Sequence, residues 1–267
     1  MPRLWRRLVK RAWVLALLTV VFTRAVWGQG LSYNHPAADP QHKLTGKEFL
    51  RDLGGAFKGL LAVNNILPAA GWAGAYAVAT APEQNLERHF APGGVWGNWS
   101  VPGRYIGNPA LLGGTSVTLF VLSRKSDDRR FRSLSYALLQ GAIMSSATVQ
   151  SLKPAFRRLR PSAEDHLSFP SGHASDSFFF ATVFAEHFGW KAAVPGYAFA
   201  SYVAATRLAD RKHHLTDVVG GAGIGYVIGR TVSRRMRRGP VASKVSWSVF
   251  PSGRGVGLVV RFEVPRL

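Results

Sequence analysis

The sequence predicts an all-α protein, a helical bundle of about six core helices followed by a small C-terminal β-hairpin. Three observations support this fold class. Apolar residues make up 47% and charged residues 18% of the 267 residues, which is an ordinary composition for a folded chain. Long uncharged stretches with helical patterning continue up to about Arg230. From Ser246 onward, apolar and polar residues alternate around a turn, which indicates two strands.

The first 28 residues predict an export signal peptide. Basic residues open this segment, and an apolar stretch of eleven residues, 12–22, follows. Val26 and Gly28 then form a small-residue cleavage site before Gln29. Because eleven residues are too short to cross a bilayer, we expect the segment to be removed. The alternative is an uncleaved membrane anchor.

The rest of the chain divides into an arm, a helical domain and a tail. The segment 29–45 is polar and contains two prolines, so we expect an N-terminal arm there. The helical domain covers 46–240, and the tail 241–267 holds the predicted hairpin with its turn at 251–255. The core helices are expected in the apolar stretches 59–82, 105–123, 133–152, 178–184, 192–206 and 218–228. A loop around Trp96 separates the first two stretches.

The first three apolar stretches raise the question of membrane spans. They contain 24, 19 and 20 uncharged residues, close to the length that crosses a bilayer. Their polar residues, among them Asn64, Asn65, Gln140 and Ser145, favour packing between helices over contact with lipid. With a signal peptide and three spans, the basic loop 124–132 would face outward, against the positive-inside rule. We therefore expect an exported, periplasmic or extracytoplasmic, membrane-associated domain. The alternative is an integral membrane protein with six helices.

The charge of the chain predicts negatively charged partners. Lys and Arg number 34 against 14 Asp and Glu, which gives +20. This excess favours phosphorylated substrates and anionic membrane surfaces. It also fits nucleic-acid binding, but no recognised binding motif is present and export would remove that partner, so we expect no nucleic acid. The absence of cysteine excludes disulfides, thiolate catalysis and cysteine zinc sites. The sequence does not indicate an oligomeric state.

Three clusters within 153–217 carry the candidate chemistry. The first is Lys153, followed after six residues by Arg160 and Pro161. Arginine suits bidentate contacts with phosphate, and lysine adds a mobile point charge. Pro161 disfavours helix at Arg160, so we expect the preceding helix to end there. In so basic a chain, a solvated basic surface is the better explanation of this cluster taken alone.

The second cluster is the run Phe169-Pro170-Ser171-Gly172-His173, just before a new helical pattern. Ser171 suits an N-cap, Gly172 allows a ligand to approach the backbone, and the helix start offers N–H groups and a positive dipole end to an anion. His173 lies beside this predicted oxyanion site, where the dipole disfavours its protonated form until a bound phosphate compensates. A plain helix cap with a surface histidine is the alternative.

The third cluster is Thr206-Arg207, then His213 and, four positions later, Asp217. On a helix, this spacing lets Asp217 accept a ring N–H from His213, which fixes the tautomer and leaves the other nitrogen free to attack. His214 lies three positions from Asp217 and has the same possibility, so spacing alone leaves two candidate nucleophiles. A surface His–Asp pair at a helix start is the alternative for this cluster alone.

Together, the clusters resemble the signature of the type 2 phosphatidic acid phosphatase and vanadium haloperoxidase superfamily. The resemblance covers 153–217, and outside this segment only the helix order is similar. One departure is Thr206, where the family usually has serine, but the hydroxyl is retained. The positions at family spacing are Lys153, Arg160-Pro161, Pro170-Ser171-Gly172-His173, Arg207, His213 and Asp217.

The resemblance implies a metal-independent phosphatase with no cofactor. His213, rather than His214, would attack phosphorus and form a phosphohistidine, and Asp217 would hold its ring. His173 would be the general acid that protonates the leaving oxygen. The phosphoryl oxygens would be bound by Lys153, Arg160, Ser171, Gly172 and Arg207.

The substrate and the reaction have alternatives at this point. Basicity and apolar helices favour lipid-linked phosphate monoesters or diphosphates, whereas a cleaved signal and polar helices favour soluble phosphomonoesters. A vanadium-dependent haloperoxidase would hold vanadate in the same site, and vanadate would otherwise act as an inhibitor. We expect the phosphatase, because the chain is compact with short connections. A non-catalytic basic membrane-binding protein is the remaining alternative.

Overall fold

The computed structural model describes residues 32–85, 99–238, 245–252 and 255–262. The predicted signal peptide 1–28 and the loop around Trp96 lie outside these described residues. The body 32–238 is all-helical, as the sequence predicts. Beyond it, strands β1 (Val245–Ser252) and β2 (Gly255–Phe262) pair antiparallel, with Val245 opposite Phe262.

Eight α-helices follow a short 3-10 turn, Pro36–Ala38, in the described part of the chain. Their bounds are α1 Gly46–Leu60, α2 Val63–Ala79, α3 Ser100–Ile106, α4 Pro109–Ser123, α5 Arg129–Phe156, α6 Gly172–Phe188, α7 Trp190–Ala209 and α8 Leu215–Arg238. Six of them correspond to the predicted stretches, and α1 and α3 are additional. Charged residues interrupt α1, and α3 has seven residues, so neither contains a long uncharged stretch.

The end of α5 differs from the prediction. We expected this helix to continue to Arg160, but it ends at Phe156. Arg157 adopts a left-handed conformation with φ 45°, and its N–H bonds to the Lys153 carbonyl. A left-handed residue directly after the last helical one commonly ends a helix. The helix α5 therefore ends before Arg160, the position at which Pro161 disfavours helix. The prediction is wrong by four residues.

The centre of the bundle is α6, which contacts α5, α7 and α8. Glycines at four-residue spacing on α8, Gly221, Gly225 and Gly229, let it approach α6 closely. A Cβ on Gly225 would overlap the carbonyl oxygen of Ser175 on α6. Around this contact lies the core, whose largest fully buried apolar side chains are Tyr136, Phe179, Leu138, Met144 and Ile228.

The N-terminal arm packs against the bundle instead of lying free. Tyr33, His35, Ala37 and Ala38 are buried. The N–H of His35 donates to the carbonyl of Met236 near the end of α8. The arm therefore joins the beginning of the described body to its last helix.

Within the described residues, no single helix is long and apolar enough to cross a membrane. Taken together, α3 and α4 pass the same test as a pair bent by 43°.

Candidate active site

The three clusters converge on one cavity of about 530 Å³. It lies among α4, α5, α6 and the segments that follow α5 and α7. Ser171 and Asp217 are fully buried, and each contacts residues at this site. The predicted site residues that line the cavity directly are Lys153, Arg160, Gly172, His173, Arg207 and His213.

The ring of His213 is oriented by a main-chain carbonyl. Its Nδ1 lies 2.6 Å from the carbonyl oxygen of Ser168. A carbonyl only accepts hydrogen bonds, so Nδ1 carries the proton and donates. This tautomer leaves the lone pair of the ring on Nε2, which is the arrangement that a nitrogen nucleophile needs.

The expected hydrogen bond from His213 to Asp217 is not formed. Nδ1 of His213 lies 4.0 Å from Oδ2 of Asp217, which exceeds hydrogen-bond distance. The spacing argument assumed that both residues lie on one helix, but α8 begins at Leu215. His213 precedes that helix, so the two side chains do not stack on its face.

Asp217 instead fixes the elements around His213. It accepts hydrogen bonds from Ser168 Oγ at 2.5 Å, from Arg158 Nη1 at 2.8 Å and from the backbone N–H of His214 at 2.8 Å. Since Ser168 also supplies the carbonyl that holds His213, Asp217 acts on the imidazole through Ser168. It is a positioning residue in this geometry.

His214 is engaged outside the cavity lining. Its Nε2 donates to the carbonyl of Leu159 at 2.9 Å, while His213 lines the cavity. The two histidines that spacing could not distinguish therefore differ in their surroundings.

The electrostatics of the cavity keep both lining histidines neutral. Burial, followed by the charges of Lys153 and Arg160, lowers the pKa of His213 well below its ordinary value. Burial and Arg207 lower the pKa of His173 to about 4. Its Nε2 donates to the Arg104 carbonyl at 3.2 Å. A neutral His213 suits a nucleophile, whereas His173 needs a bound dianion to take up a proton.

Three cations that the sequence predicts to bind phosphate line the cavity, and the part that they line is here called the phosphate-binding end. Nζ of Lys153 donates to the Leu167 carbonyl at 2.6 Å, and burial followed by Arg160 lowers its pKa to about 8. Arg160 pairs with Asp165 at 2.7 Å. Arg207 is only 3% exposed and pairs with Asp210. The cationic groups are thus held by neighbours before any ligand is bound, which reduces the reorganisation that an oxyanion would require.

The loop before α6 has the predicted helix cap. Ser171 is the N-cap, with its Oγ accepting from the N–H of Ala174, and its own N–H donates to the carbonyl of Asp217 at 3.0 Å. The N–H groups of Gly172 and His173 precede the first intrahelical bond and are available to an anion. A Cβ on Gly221 would overlap the Ser171 carbonyl, so this glycine lets α8 contact the loop.

Several residues of the site were not predicted from the sequence. Arg158 bridges Glu83 and Asp217, with N–O distances of 2.5 and 2.8 Å. Glu83 also accepts hydrogen bonds from the N–H and Oγ of Thr216. The basic run around Arg158 and the serine just before Phe169 are visible signals, but their partners lie far away in sequence.

Among the described residues, no group of three or more His, Asp or Glu could hold a metal ion.

Comparison with known proteins gives one curated relative and one solved structure. The chain is 34% identical over 92 residues to a lipid A 1-phosphatase of Porphyromonas gingivalis, a match that covers 33% of this chain and 21% of that protein. It is also similar to the crystal structure of a transmembrane PAP2 type phosphatidylglycerolphosphate phosphatase from Bacillus subtilis. That match has a TM-score of 0.48 and 21% identity and covers 64% of this chain and 95% of the other, and it supports no conclusion about activity.

The family comparison matches the segment that contains the cavity clusters. Residues 134–239 match the PAP2 superfamily. This range contains every predicted site residue from Lys153 to Asp217. The similarity to the PAP2 superfamily therefore covers the segment that holds the candidate active site.

Proposed function

We propose that this protein is a phosphatase that hydrolyses lipid-linked phosphate monoesters or diphosphates through a phosphohistidine on His213, without a metal cofactor. One observation carries the proposal. A neutral imidazole, held through Nδ1 by the Ser168 carbonyl, lines the same cavity as Lys153 and Arg207. A nucleophile beside cations that compensate the charge of a phosphoryl group is what phosphoryl transfer needs.

The reaction follows from the protonation states. Nε2 of His213 attacks phosphorus with its lone pair, and the bond between phosphorus and the leaving oxygen breaks. His173, which becomes protonated beside the bound phosphate, gives a proton to that oxygen. Water then attacks the phosphohistidine and passes a proton to His173. Inorganic phosphate leaves, and both imidazoles return to their starting states.

A lipid substrate and a membrane-adjacent location are supported by the surface beside the cavity. Large apolar side chains are exposed on α4, including Leu111, Val117 and Val121. The first turns of α4 also line the cavity through Ala110 and Gly113. An apolar surface next to a phosphate site suits a substrate with an acyl or prenyl chain in an anionic membrane. The name of the Porphyromonas gingivalis relative, a lipid A 1-phosphatase, supports the same substrate class.

The test measures phosphate release by the full chain from phosphatidate, a prenyl diphosphate and a soluble phosphomonoester in detergent. We expect His213→Ala to lose at least about a thousandfold in kcat and His173→Ala about a hundredfold or more. The control His214→Ala should stay near the wild type, because that ring is bound to the Leu159 carbonyl outside the cavity. Acid-labile, alkali-stable phosphate should be trapped on the wild type and not on His213→Ala.

Three outcomes would contradict the proposal. Bromide oxidation with added vanadate, without phosphate release, would favour the haloperoxidase. Full activity in His213→Ala would remove the proposed nucleophile. Turnover of the soluble phosphomonoester alone would contradict the lipid-linked substrate.

A further inference from the structure

The cavity extends from its phosphate-binding end along α5, and its part lined by Ala142, Ser145 and Phe179 is here called the inner lobe. On α5, Lys153 and Ala142 both line the cavity, and at 1.5 Å per residue they lie roughly 16 Å apart along the helix. The inner lobe therefore has room for the part of a substrate beyond its phosphoryl group. Its lining comes from α4, α5 and α6 and includes Pro109, Gly113, Ala142, Ser145, Ser146 and Phe179.

One carboxylate lies in the inner lobe. Asp176 lines the cavity and is only 7% exposed. Its Oδ1 accepts a hydrogen bond from Ser145 Oγ at 2.5 Å, and Ser145 also contacts Ser175 Oγ at 2.8 Å. Among the described residues, Oδ2 has no such partner. The catalytic steps proposed above do not use this carboxylate.

Asp176 is separated from the other charged side chains that line the cavity. The other charged side chains of the lining belong to the phosphate-binding end: Lys153, Arg160, Glu164, Asp165, Arg207 and Lys212. Burial raises the pKa of Asp176 to about 6, against the lowering effect of the Ser145 hydrogen bond. At about pH 8 the group is therefore ionised in an otherwise uncharged lobe.

The position of Asp176 relative to His173 decides which part of a substrate it meets. In phosphoryl transfer, the nucleophile and the leaving oxygen lie on opposite sides of phosphorus. With His213 as nucleophile, the leaving group points to the side of His173. Asp176 follows His173 by three positions on α6, so their Cβ atoms lie on one helix face about 5–6 Å apart.

We propose that Asp176 determines the leaving-group specificity of the proposed phosphatase. Its free carboxylate oxygen accepts a hydrogen bond from a hydroxyl or amine next to the scissile oxygen, and its charge repels leaving groups that retain a second phosphate. The inference rests on the proposed function and narrows its substrates to phosphate monoesters with a donor beside the phosphate.

The experiment compares three substrates that share one chain: hexyl phosphate, 2-hydroxyhexyl phosphate and hexyl diphosphate, at about pH 8. For the wild type, we expect kcat/KM for the hydroxylated monoester to exceed that for hexyl phosphate about tenfold, as for a hydrogen bond to a charged group. Hexyl diphosphate should be the poorest substrate. The ratios between substrates are the readout, since a loss of folded protein affects all three equally.

Two substitutions of Asp176 separate its charge from its hydrogen bond. Asp176→Asn keeps an accepting oxygen but removes the charge, so the relative rate on the diphosphate should rise about tenfold. Asp176→Ala should also abolish the preference for the hydroxylated substrate. Ser145→Ala removes the tie between α5 and α6 but keeps the carboxylate, so the wild-type ratios should persist. Asp127→Asn, an exposed loop position, controls for the change in net charge.

The outcomes distinguish the inference from the proposed function. Unchanged ratios in both Asp176 variants would overturn the inference while phosphate release upholds the phosphatase. Equal effects of Ser145→Ala and Asp176→Asn on the ratios would also overturn it, because they would indicate a structural role only. If the wild type released no phosphate from these three substrates and none from phosphatidate or a prenyl diphosphate, the proposed function would fail and the inference with it.

Discussion

At the scale of single residues, the site depends on a carboxylate that does not touch the imidazole it positions. Asp217 is completely buried and holds Ser168, whose carbonyl orients His213. A buried carboxylate needs its own charge compensation, and Arg158 supplies it. Arg158 is in turn paired with Glu83 just beyond α2, so the orientation of the imidazole depends on a segment about 130 positions away in sequence.

This chain of contacts predicts the effect of Arg158→Gln. Loss of a charge-assisted hydrogen bond to a buried carboxylate costs about 2 kcal/mol, so we expect kcat to fall about tenfold or more and the unfolding free energy to decrease. The adjacent exposed Arg157→Gln is the matched control and should change kcat little. Phosphate release and urea denaturation measure the two effects. Equal kcat values for both variants would argue against the positioning role.

At the scale of elements, the contact between α6 and α8 aligns the loop before α6 with the start of α8. The contact depends on the glycines of α8, which leave no space for a side chain. Alanine is the better helix former by about 1 kcal/mol, so local propensity and packing oppose each other at these positions. The packing cost of a side chain outweighs the helix propensity of alanine, because the backbone of α6 cannot move without shifting His173.

Gly225→Ala tests this balance. We expect it to destabilise the protein by roughly 2 kcal/mol or more, since its Cβ would overlap the Ser175 carbonyl. Gly71→Ala on α2 is the control, because a Cβ there meets nothing within 4 Å. That variant should gain up to about 1 kcal/mol. Thermal unfolding followed by circular dichroism compares the two, and similar Tm shifts would refute the packing explanation.

The cap at Ser171 follows from local spacing at a helix end, whereas the convergence of the three clusters is implied only by the family resemblance. The sequence does not predict the partners of Asp217, since the pairing with Arg158 depends on how a loop folds back over the start of α8. The expected contact with His213 failed because the helix begins two residues after His213. The spacing of Gly221, Gly225 and Gly229 is visible in the sequence. The sequence does not show which helix packs against these glycines.

At the scale of the whole molecule, buried histidines make stability depend on pH. Burial lowers the pKa of His187 and of His173 to about 4, and that of His213 well below its ordinary value. Each group takes up a proton on unfolding at pH values between its folded pKa and about 6.5, so stability falls as pH drops through this window. The raised pKa of Asp176 acts in the opposite direction, because this carboxyl releases a proton on unfolding in the same pH range. It offsets only part of the effect of the three imidazoles.

We therefore expect the unfolding free energy to decrease between about pH 7 and about pH 4.5, with roughly 3 kcal/mol from His187 alone at the acidic end. His187→Gln should flatten this dependence, whereas the exposed His166→Gln should keep it. Urea denaturation at several pH values measures the slope. A wild-type slope in His187→Gln would contradict the assignment.

The contact between the N-terminal arm and α8 constrains the order in which the chain can assemble during synthesis. The N–H of His35 and the carbonyl of Met236 meet although they lie on the order of 200 residues apart in sequence. The arm leaves the ribosome among the first segments of the domain, yet its binding site is completed only when α8 emerges. Until then, Tyr33 and the ring of His187 on α6, on which it stacks, stay open to other partners. A nascent chain stalled before α8 should therefore remain sensitive to protease at the arm, and its protection would report completion of the bundle.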